Sequence, residues 1–151
     1  SADGALPFRD AAFALIVNRH ESFVARDVAR VLEPGGIFVT QQVADGFNRD
    51  YYDWLGLTAP PLPARAWCRD LAGAQLDAAG FVIESGDDGD ECVIFHDVGA
   101  LAWYLKNLPW VLPGFDIDAA EPALRALHER SARGGPLVAR QALFRVVARR
   151  R

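Results

Sequence analysis

The sequence predicts an α/β protein with a parallel sheet flanked by helices, and three neighbouring segments predict it. A continuous apolar run over residues 12–18 is typical of a parallel strand that is buried on both faces. An amphipathic helix over 21–32 follows, and after it a β-branched, apolar strand over 37–43. A strand, a helix and a second strand in this order form the crossover unit from which parallel sheets are built.

The end of each element of this crossover has its own signal. Val24, Val28 and Val31 recur at helical spacing and predict one apolar face of the helix. The residues Glu-Pro-Gly-Gly at 33–36 end that helix, because proline cannot continue it and glycine permits a turn. The first strand runs into the polar residues Asn-Arg-His-Glu at 18–21. Open α/β sheets bind their ligands at this end of a strand.

The rest of the chain alternates helical and extended patterns. Aromatic and proline residues predict a short helix and then a loop within 44–66. Apolar spacing and capping residues predict three further helices, over 69–79, over 98–108 and from Asp118 to 134. Alternation predicts a last strand over 141–148. The segment Gly86–Asp90 has strong turn chemistry. It predicts a hairpin between strands at 81–85 and 92–95.

Composition and charge argue against several classes of protein. Of the 151 residues, 51% are apolar and 24% are charged, which is the balance of an ordinary globular domain. No apolar run approaches the ~20 residues that span a bilayer, and the net charge of −4 argues against a basic, nucleic-acid-binding surface. The two cysteines lack the spacing of a metal site. We expect a cytoplasmic protein that acts on a small molecule, without a metal, nucleic acid or membrane.

Two motifs in the opening crossover match one enzyme family. Leu6-Pro7-Phe8, Asp10 and Phe13 fit the stretch D-A-x-x-LPF-x-D-x-x-F-D that precedes the fourth strand of that family, and the Glu-Pro-Gly-Gly turn is common in it. On these residues the segment 6–43 resembles class I (type 11-like) S-adenosylmethionine-dependent methyltransferases. The family's acidic position before the LPF letters falls on Ala2, and an acid appears one place later, at Asp3.

The resemblance implies a partial doubly wound, Rossmann-like methyltransferase sheet whose last pair of strands is antiparallel. The first recognisable strand matches the fourth strand of the family, and no glycine-rich G-x-G-x-G loop is found in the sequence. We therefore expect residues 1–151 to be one domain, the C-terminal portion of a methyltransferase whose cofactor loop belongs upstream. The absence of methionine agrees with a piece of a longer protein. Segments 44–66 and 86–136 are expected to be insertions on the substrate side.

The resemblance also implies site residues. S-adenosylmethionine is the expected cofactor, and the residues expected to line its site are Ala2, Asp3, Leu6, Asn18 and Arg19. His20 is the candidate general base because imidazole titrates near neutrality, and Glu21 is the candidate residue to orient it. The plainer alternative is that Glu21 stabilises the N-terminus of the following helix and His20 closes the turn.

A group of aromatic residues is the candidate binding site for an apolar or aromatic methyl acceptor. Its members are Tyr51, Tyr52, Trp103, Tyr104 and Trp110. The alternative for each of them is an ordinary core or interface aromatic residue.

Two other functions remain open from the sequence. The chain is alternatively a non-catalytic binding or dimerisation module derived from the same fold, or part of a nucleotide-dependent oxidoreductase. A half-sheet would expose the edge of its first strand, and exposed edges invite pairing. We therefore expect the chain to form a homodimer, by domain swapping or by extension of the sheet.

Overall fold

Four strands form one mixed sheet in the computed structural model, which describes residues 5–46 and 48–151. In chain order the elements are β1 (Phe13–Arg19), α1 (Ala25–Val31), β2 (Leu32–Val43), α2 (Arg49–Trp54), α3 (Arg69–Ala78), β3 (Phe81–Phe95), α4 (Val98–Asn107), α5 (Glu121–Gly134) and β4 (Leu137–Arg150). The strand order across the sheet is β1-β2-β4-β3. β1 runs parallel to β2, and β4 runs antiparallel to β2. The predicted α/β class and mixed sheet are confirmed.

The chain divides into two compact units, and each has its own core. The described residues of the first unit are 5–45, 63–89 and 142–151, packed around Phe38, Phe81 and Phe144. The second unit consists of 46–62 and 90–141, packed around apolar side chains of α4 and α5. The second unit nearly coincides with the two segments that the sequence analysis separates as insertions. Within the described residues, no helix is long and apolar enough to cross a membrane.

β1 lies at the edge of the sheet, as expected of a half-sheet, but the prediction that it is buried on both faces is wrong. Ile16 packs against the core of the first unit, whereas Leu15 and Val17 are 55% and 69% exposed. The apolar run is compatible with two covered faces, but burial also depends on what lies over each face. In the described structure, the core of the first unit lies on one side of β1 only.

The predicted hairpin at Gly86–Asp90 is also wrong, because β3 continues without a break from Phe81 to Phe95. The two aspartates of this segment form ion pairs with arginines instead of closing a turn. Arg145 lies 3.0 Å from Asp87, and Arg69 lies 3.2 Å from Asp88. Turn propensity is a local preference, and pairing with a neighbouring strand overrides it here.

The helix of the crossover is shorter than predicted. It begins at Ala25 rather than near residue 21, and Val24 at its N-terminus is 44% exposed. The turn predicted at 33–36 lies inside β2, which begins at Leu32 rather than at residue 37, and it is present as an irregularity in the pairing of β1 with β2. The pairs Phe13↔Leu32 and Leu15↔Ile37 leave one residue of β1 opposite the four residues 33–36 of β2. Gly35 has a φ of +80°, and a Cβ on Gly36 would lie 2.9 Å from the Glu33 carbonyl oxygen.

Other predicted ends of helices are close to the observed ones. α3 ends before Gly80, whose φ is +91°. α4 begins after Asp97, whose side chain accepts a 2.7 Å hydrogen bond from the Ala100 N–H. α5 begins at Glu121, three residues after the predicted Asp118, with Pro122 in its first turn.

Candidate functional site

A cavity of about 190 Å³ lies in the first unit, beside the carboxyl end of β1. Asn18 and Glu21 reach it from the end of this strand, Asp27 and Val28 reach it from α1, and Leu6 reaches it from the segment before β1. The carboxyl ends of parallel strands are where open α/β sheets bind ligands. The cavity is therefore the candidate cofactor site.

A buried polar network forms one wall of this region. The Asn18 Oδ1 accepts hydrogen bonds from the Thr40 hydroxyl at 2.8 Å and from the Gln42 Nε2 at 2.5 Å. Gln42 Nε2 also lies 3.1 Å from the Glu21 carbonyl oxygen and 2.7 Å from the Thr40 Oγ1. Thr40 is fully buried and Gln42 is 5% exposed. Buried polar side chains whose partners are other side chains are typical of a positioned site.

The sequence analysis missed Thr40 and Gln42. Their position on the strand could have indicated them, since side chains alternate along β2 and both share a face with Phe38. A polar residue two or four places from a buried phenylalanine on a strand is itself expected to be buried. It must then find hydrogen-bond partners.

A second set of contacts holds the segment before β1 against α1. The Leu6 N–H donates to the Asp27 carboxylate, and Arg30 donates to the carbonyl oxygens of Phe8 at 2.7 Å and Leu6 at 2.9 Å. Arg30 also binds Asp27 at 2.8 Å and Asp10 at 2.9 Å. These contacts hold Leu6, the first of the LPF letters, at the cavity. Neither Asp27 nor Arg30 was a candidate from the sequence.

These contacts also shift the pKa values of Asp27 and Arg30. The hydrogen bond from the Leu6 N–H, and after it the one from Arg30, hold the pKa of Asp27 below its usual range. Hydrogen bonds to Asp10 and Asp27 raise the pKa of Arg30. Asp27 therefore stays ionised through the physiological range.

The predicted cofactor and catalytic residues separate into two groups. Leu6, Asn18 and Glu21 line the cavity, whereas Arg19 and His20 do not contribute to the described lining. Arg19 follows Asn18 on the strand and points to the opposite face, where its Nε donates to the Gln41 Oε1 at 3.0 Å. Predicted residues Ala2 and Asp3 lie outside the described part of the chain.

His20 lies at the surface in a left-handed conformation. Its φ is +55°, and its backbone N–H donates to the Gln41 carbonyl oxygen at 2.8 Å. The Glu21 carboxylate accepts a hydrogen bond from the Ser22 N–H at 3.2 Å. Among the hydrogen bonds of the described residues, none joins Glu21 to His20. Histidine is one of the few residues with a side chain that tolerates this backbone conformation.

The predicted acceptor residues lie in the second unit, in two different environments. Tyr51 is 2% exposed and contacts Tyr104, with ring centroids 6.1 Å apart. Phe95 and Trp54 complete this aromatic cluster. Burial, together with the neighbouring Tyr104, raises the pKa of Tyr51.

The other three predicted acceptor residues lie outside this buried centre. Tyr52 is half-buried against the same core, whereas Trp103 and Trp110 are 69% and 68% exposed. Within the described residues there is no group of three or more His, Cys, Asp or Glu side chains that could hold a metal ion.

Comparison with solved structures identifies the fold. A protein of Bacillus halodurans assigned to the methyltransferases superposes with a TM-score of 0.56 and 16% identity, over 95% of this chain and 67% of that one. The YcgJ protein of Bacillus subtilis superposes with a TM-score of 0.50 and 18% identity, over 97% and 67%. The chain has a methyltransferase fold. Neither a protein-family model nor a curated protein sequence matches it.

The chain covers only part of the length of the structures to which it is similar. Geranyl diphosphate C-methyltransferase from Streptomyces coelicolor A3(2) aligns over 97% of this chain and 49% of its own, at 14% identity and a TM-score of 0.44. With a TM-score below 0.5, that structure does not support the fold assignment, which rests on the two Bacillus proteins. This chain spans about half to two thirds of the length of these three structures.

Replacing Asp27 by asparagine tests the contacts that hold Leu6. The folded-state pKa of Asp27 is lowered, so its ionisation stabilises the protein above about pH 4, the unfolded value, and that contribution is lost as the pH falls through the folded value. We expect Asp27→Asn to lower the free energy of unfolding at pH 7 and to flatten its decline in acid, measured by urea unfolding between pH 7 and pH 2.

The matched control is Asp70→Asn. The Asp70 side chain is 84% exposed and pairs only with the adjacent Arg69 among the described ion pairs, so this variant should follow the wild-type pH profile. If the Asp27→Asn profile also runs parallel to the wild type, the contacts do not hold the segment in solution.

Proposed function

We propose that this chain is the C-terminal portion of a class I S-adenosylmethionine-dependent methyltransferase, which methylates a small apolar or aromatic acceptor. The supporting observation is the cavity beside the end of a parallel strand in a methyltransferase fold. Leu6 belongs to the LPF letters, Asn18 and Glu21 belong to the polar residues that follow the first strand, and all three line this one cavity. The likeness in fold alone does not establish the activity, because one fold serves many reactions.

The size of the cavity supports a shared cofactor site. Pockets that bind small molecules usually measure ~300–1,000 Å³, and this cavity measures about 190 Å³. It can therefore enclose only part of a cofactor as large as S-adenosylmethionine. The upstream part of the enzyme would supply the glycine-rich loop that holds the remainder.

The charge of the lining suits a cationic ligand. Glu21 and Asp27 are the charged side chains of the described lining, and both are acidic. Asp27 is neutralised by Arg30, whereas Glu21 forms no ion pair among the described residues. Glu21 therefore leaves a net negative charge at the cavity, which favours a positively charged sulfonium over a neutral thioether.

Each candidate residue then has a defined task. When bound, S-adenosylmethionine supplies an electrophilic methyl group, and the protein has to align donor and acceptor. Leu6 and Asn18 bind the cofactor, with Ala2, Asp3 and Arg19 as further proposed contacts. An imidazole nitrogen of His20 takes the proton when the acceptor is a hydroxyl or another protonated nucleophile, and Glu21 assists it. The aromatic residues of the second unit bind the acceptor.

Calorimetry with S-adenosylhomocysteine tests the assignment. We expect no measurable binding to residues 1–151 and clear binding to the upstream-extended protein, because the chain alone provides only part of the site. Equal binding by both proteins would contradict a divided site. Absence of binding in both would contradict the methyltransferase function and favour the non-catalytic module.

The role of His20 is tested by His20→Ala in the upstream-extended enzyme. Loss of a general base should lower turnover by about 10²–10⁴-fold while the affinity for S-adenosylhomocysteine changes little. His20→Asn should give the same loss, because asparagine tolerates the left-handed backbone but does not act as the base. His128→Ala, at an exposed position in α5, is the control. Unchanged turnover in both His20 variants would remove His20 from the mechanism.

One observation favours the alternative of a dimerisation module. The face of the sheet that carries Leu15 and Val17 also carries Ile37 and Val39, which are their register partners on β2. Parallel strands are normally covered on both faces. This face and the free edge of β1 therefore form an apolar surface, and we propose that the isolated chain covers it with a second copy.

Sedimentation of the isolated chain tests this dimer. We expect a dimer at high concentration and a shift to monomer in Leu15→Lys, because a charged side chain on an edge strand opposes pairing. Ile117→Lys introduces the same charge at another exposed apolar position and should leave the dimer intact. A wild-type chain that is strictly monomeric would contradict the proposal.

A further inference from the structure

The buried amides beside the cavity have a defined orientation. The Glu21 carbonyl oxygen can only accept a hydrogen bond, so the Gln42 side-chain atom 3.1 Å from it must be the Nε2 donor. The same Nε2 lies 2.5 Å from Asn18, so the Asn18 atom that faces it must be the Oδ1 acceptor. One backbone carbonyl oxygen thus sets the orientation of two side-chain amides in succession.

Thr40 strengthens this arrangement. Its hydroxyl donates to Asn18 Oδ1 at 2.8 Å and lies 2.7 Å from Gln42 Nε2, whose two N–H groups are shared among this hydroxyl, Asn18 Oδ1 and the Glu21 carbonyl oxygen. A reversed Asn18 amide would bring its Nδ2 against the Gln42 Nε2, with two donors facing each other next to a fully buried hydroxyl. The observed orientation is therefore strongly preferred.

The consequence concerns the other end of the Asn18 amide. Oδ1 is occupied by two donors, and Nδ2 donates no hydrogen bond to the described residues, although Asn18 lines the cavity. We infer that Asn18 presents Nδ2 as a fixed hydrogen-bond donor to the ligand, and that Thr40 and Gln42 are the positioning residues that hold it so. This inference rests on the proposed cofactor site.

A fixed donor selects the ligand group that lies against it. The group must have a hydrogen-bond acceptor, such as a carboxylate oxygen, a hydroxyl oxygen or a ring nitrogen, and an ammonium group is excluded because it can only donate. In the cofactor such acceptors occur in the amino-acid carboxylate and in the nucleoside. In either case the cofactor places a hydrogen-bond acceptor next to Asn18 Nδ2, and this acceptor belongs either to the amino-acid carboxylate or to the nucleoside.

The decisive variant is Asn18→Asp in the upstream-extended protein, with S-adenosylhomocysteine binding measured by calorimetry. The substitution keeps the shape of the side chain and replaces the Nδ2 donor by an acceptor. We expect the affinity to fall by about tenfold or more at pH 7. Relative to the wild type at each pH, the loss should diminish in acid, because the introduced carboxyl regains a donor when it is protonated. A purely structural role would not produce this recovery.

Two glutamine-to-glutamate variants, compared by their affinity for S-adenosylhomocysteine, test the positioning residues. Gln42→Glu removes the donor that holds Asn18 and should weaken binding by about the same factor. Gln75→Glu makes the same change at an exposed position of α3, away from the proposed site residues, and should change affinity by less than about twofold. If Gln42→Glu loses its cooperative melting transition, the Asn18→Asp pH profile decides alone.

5′-Methylthioadenosine, which lacks the amino-acid part of the cofactor, identifies the source of the acceptor. A loss in Asn18→Asp for S-adenosylhomocysteine alone assigns it to the amino-acid carboxylate, and an equal loss for both ligands assigns it to the nucleoside. Wild-type binding that Asn18→Asp leaves unchanged would overturn the fixed donor while the cofactor site stands. A wild-type protein that does not bind S-adenosylhomocysteine would overturn the proposed function and this inference together.

Discussion

The alternation of side chains along β2 is the constraint on which the first unit depends. Phe38, Thr40 and Gln42 face the covered side of the sheet, so each must be apolar or find hydrogen-bond partners within the protein. Val39 and Gln41 alternate with these residues and face the open side of the sheet, where the Gln41 amide can form hydrogen bonds with solvent. A slip of one residue in register would exchange the two sets and place unpaired groups in the core. The pairing of β1 with β2 therefore creates both the candidate site and the open face.

The candidate site is held from two directions by contacts of different kinds. On one side, charged hydrogen bonds from Asp27 and Arg30 hold Leu6 next to α1. On the other side, the uncharged amide of Gln42 holds both Asn18 and the Glu21 carbonyl oxygen. The contacts of Asp27 depend on pH because the carboxylate can be protonated, whereas the amide contacts of Gln42 do not. Acid therefore weakens the contacts that hold Leu6 and leaves those that hold Asn18 unchanged. Both sets of contacts are made within the protein itself, and a site that the protein positions by its own contacts loses less entropy on binding.

Aromatic residues in the second unit are buried or exposed according to their position on a helix. Trp103 and Tyr104 are neighbours in α4, yet Trp103 is exposed and Tyr104 packs against Phe95 at a centroid distance of 5.3 Å. Adjacent positions on a helix point about 100° apart, so one residue joins the core and the next faces outward. The buried aromatic residues stabilise the unit, and the exposed ones provide the apolar surface that an acceptor would need.

The sequence by itself determined the local structure: the strand–helix–strand crossover, the departure from the ladder at 33–36, the cap at Asp97 and the end of α3 before Gly80. These depend on backbone preferences and on contacts within a few residues. The sequence also indicated Leu6, from the LPF letters, and Asn18 and Glu21, from the end of the first strand, and the structure brings these three residues to one cavity. Only the tertiary structure decided that one face of β1 is open, that β3 runs straight through its acidic segment, and that Thr40 and Gln42 hold Asn18. Those features depend on partners far away in the chain, and local sequence patterns carry no information about which distant residue will lie opposite.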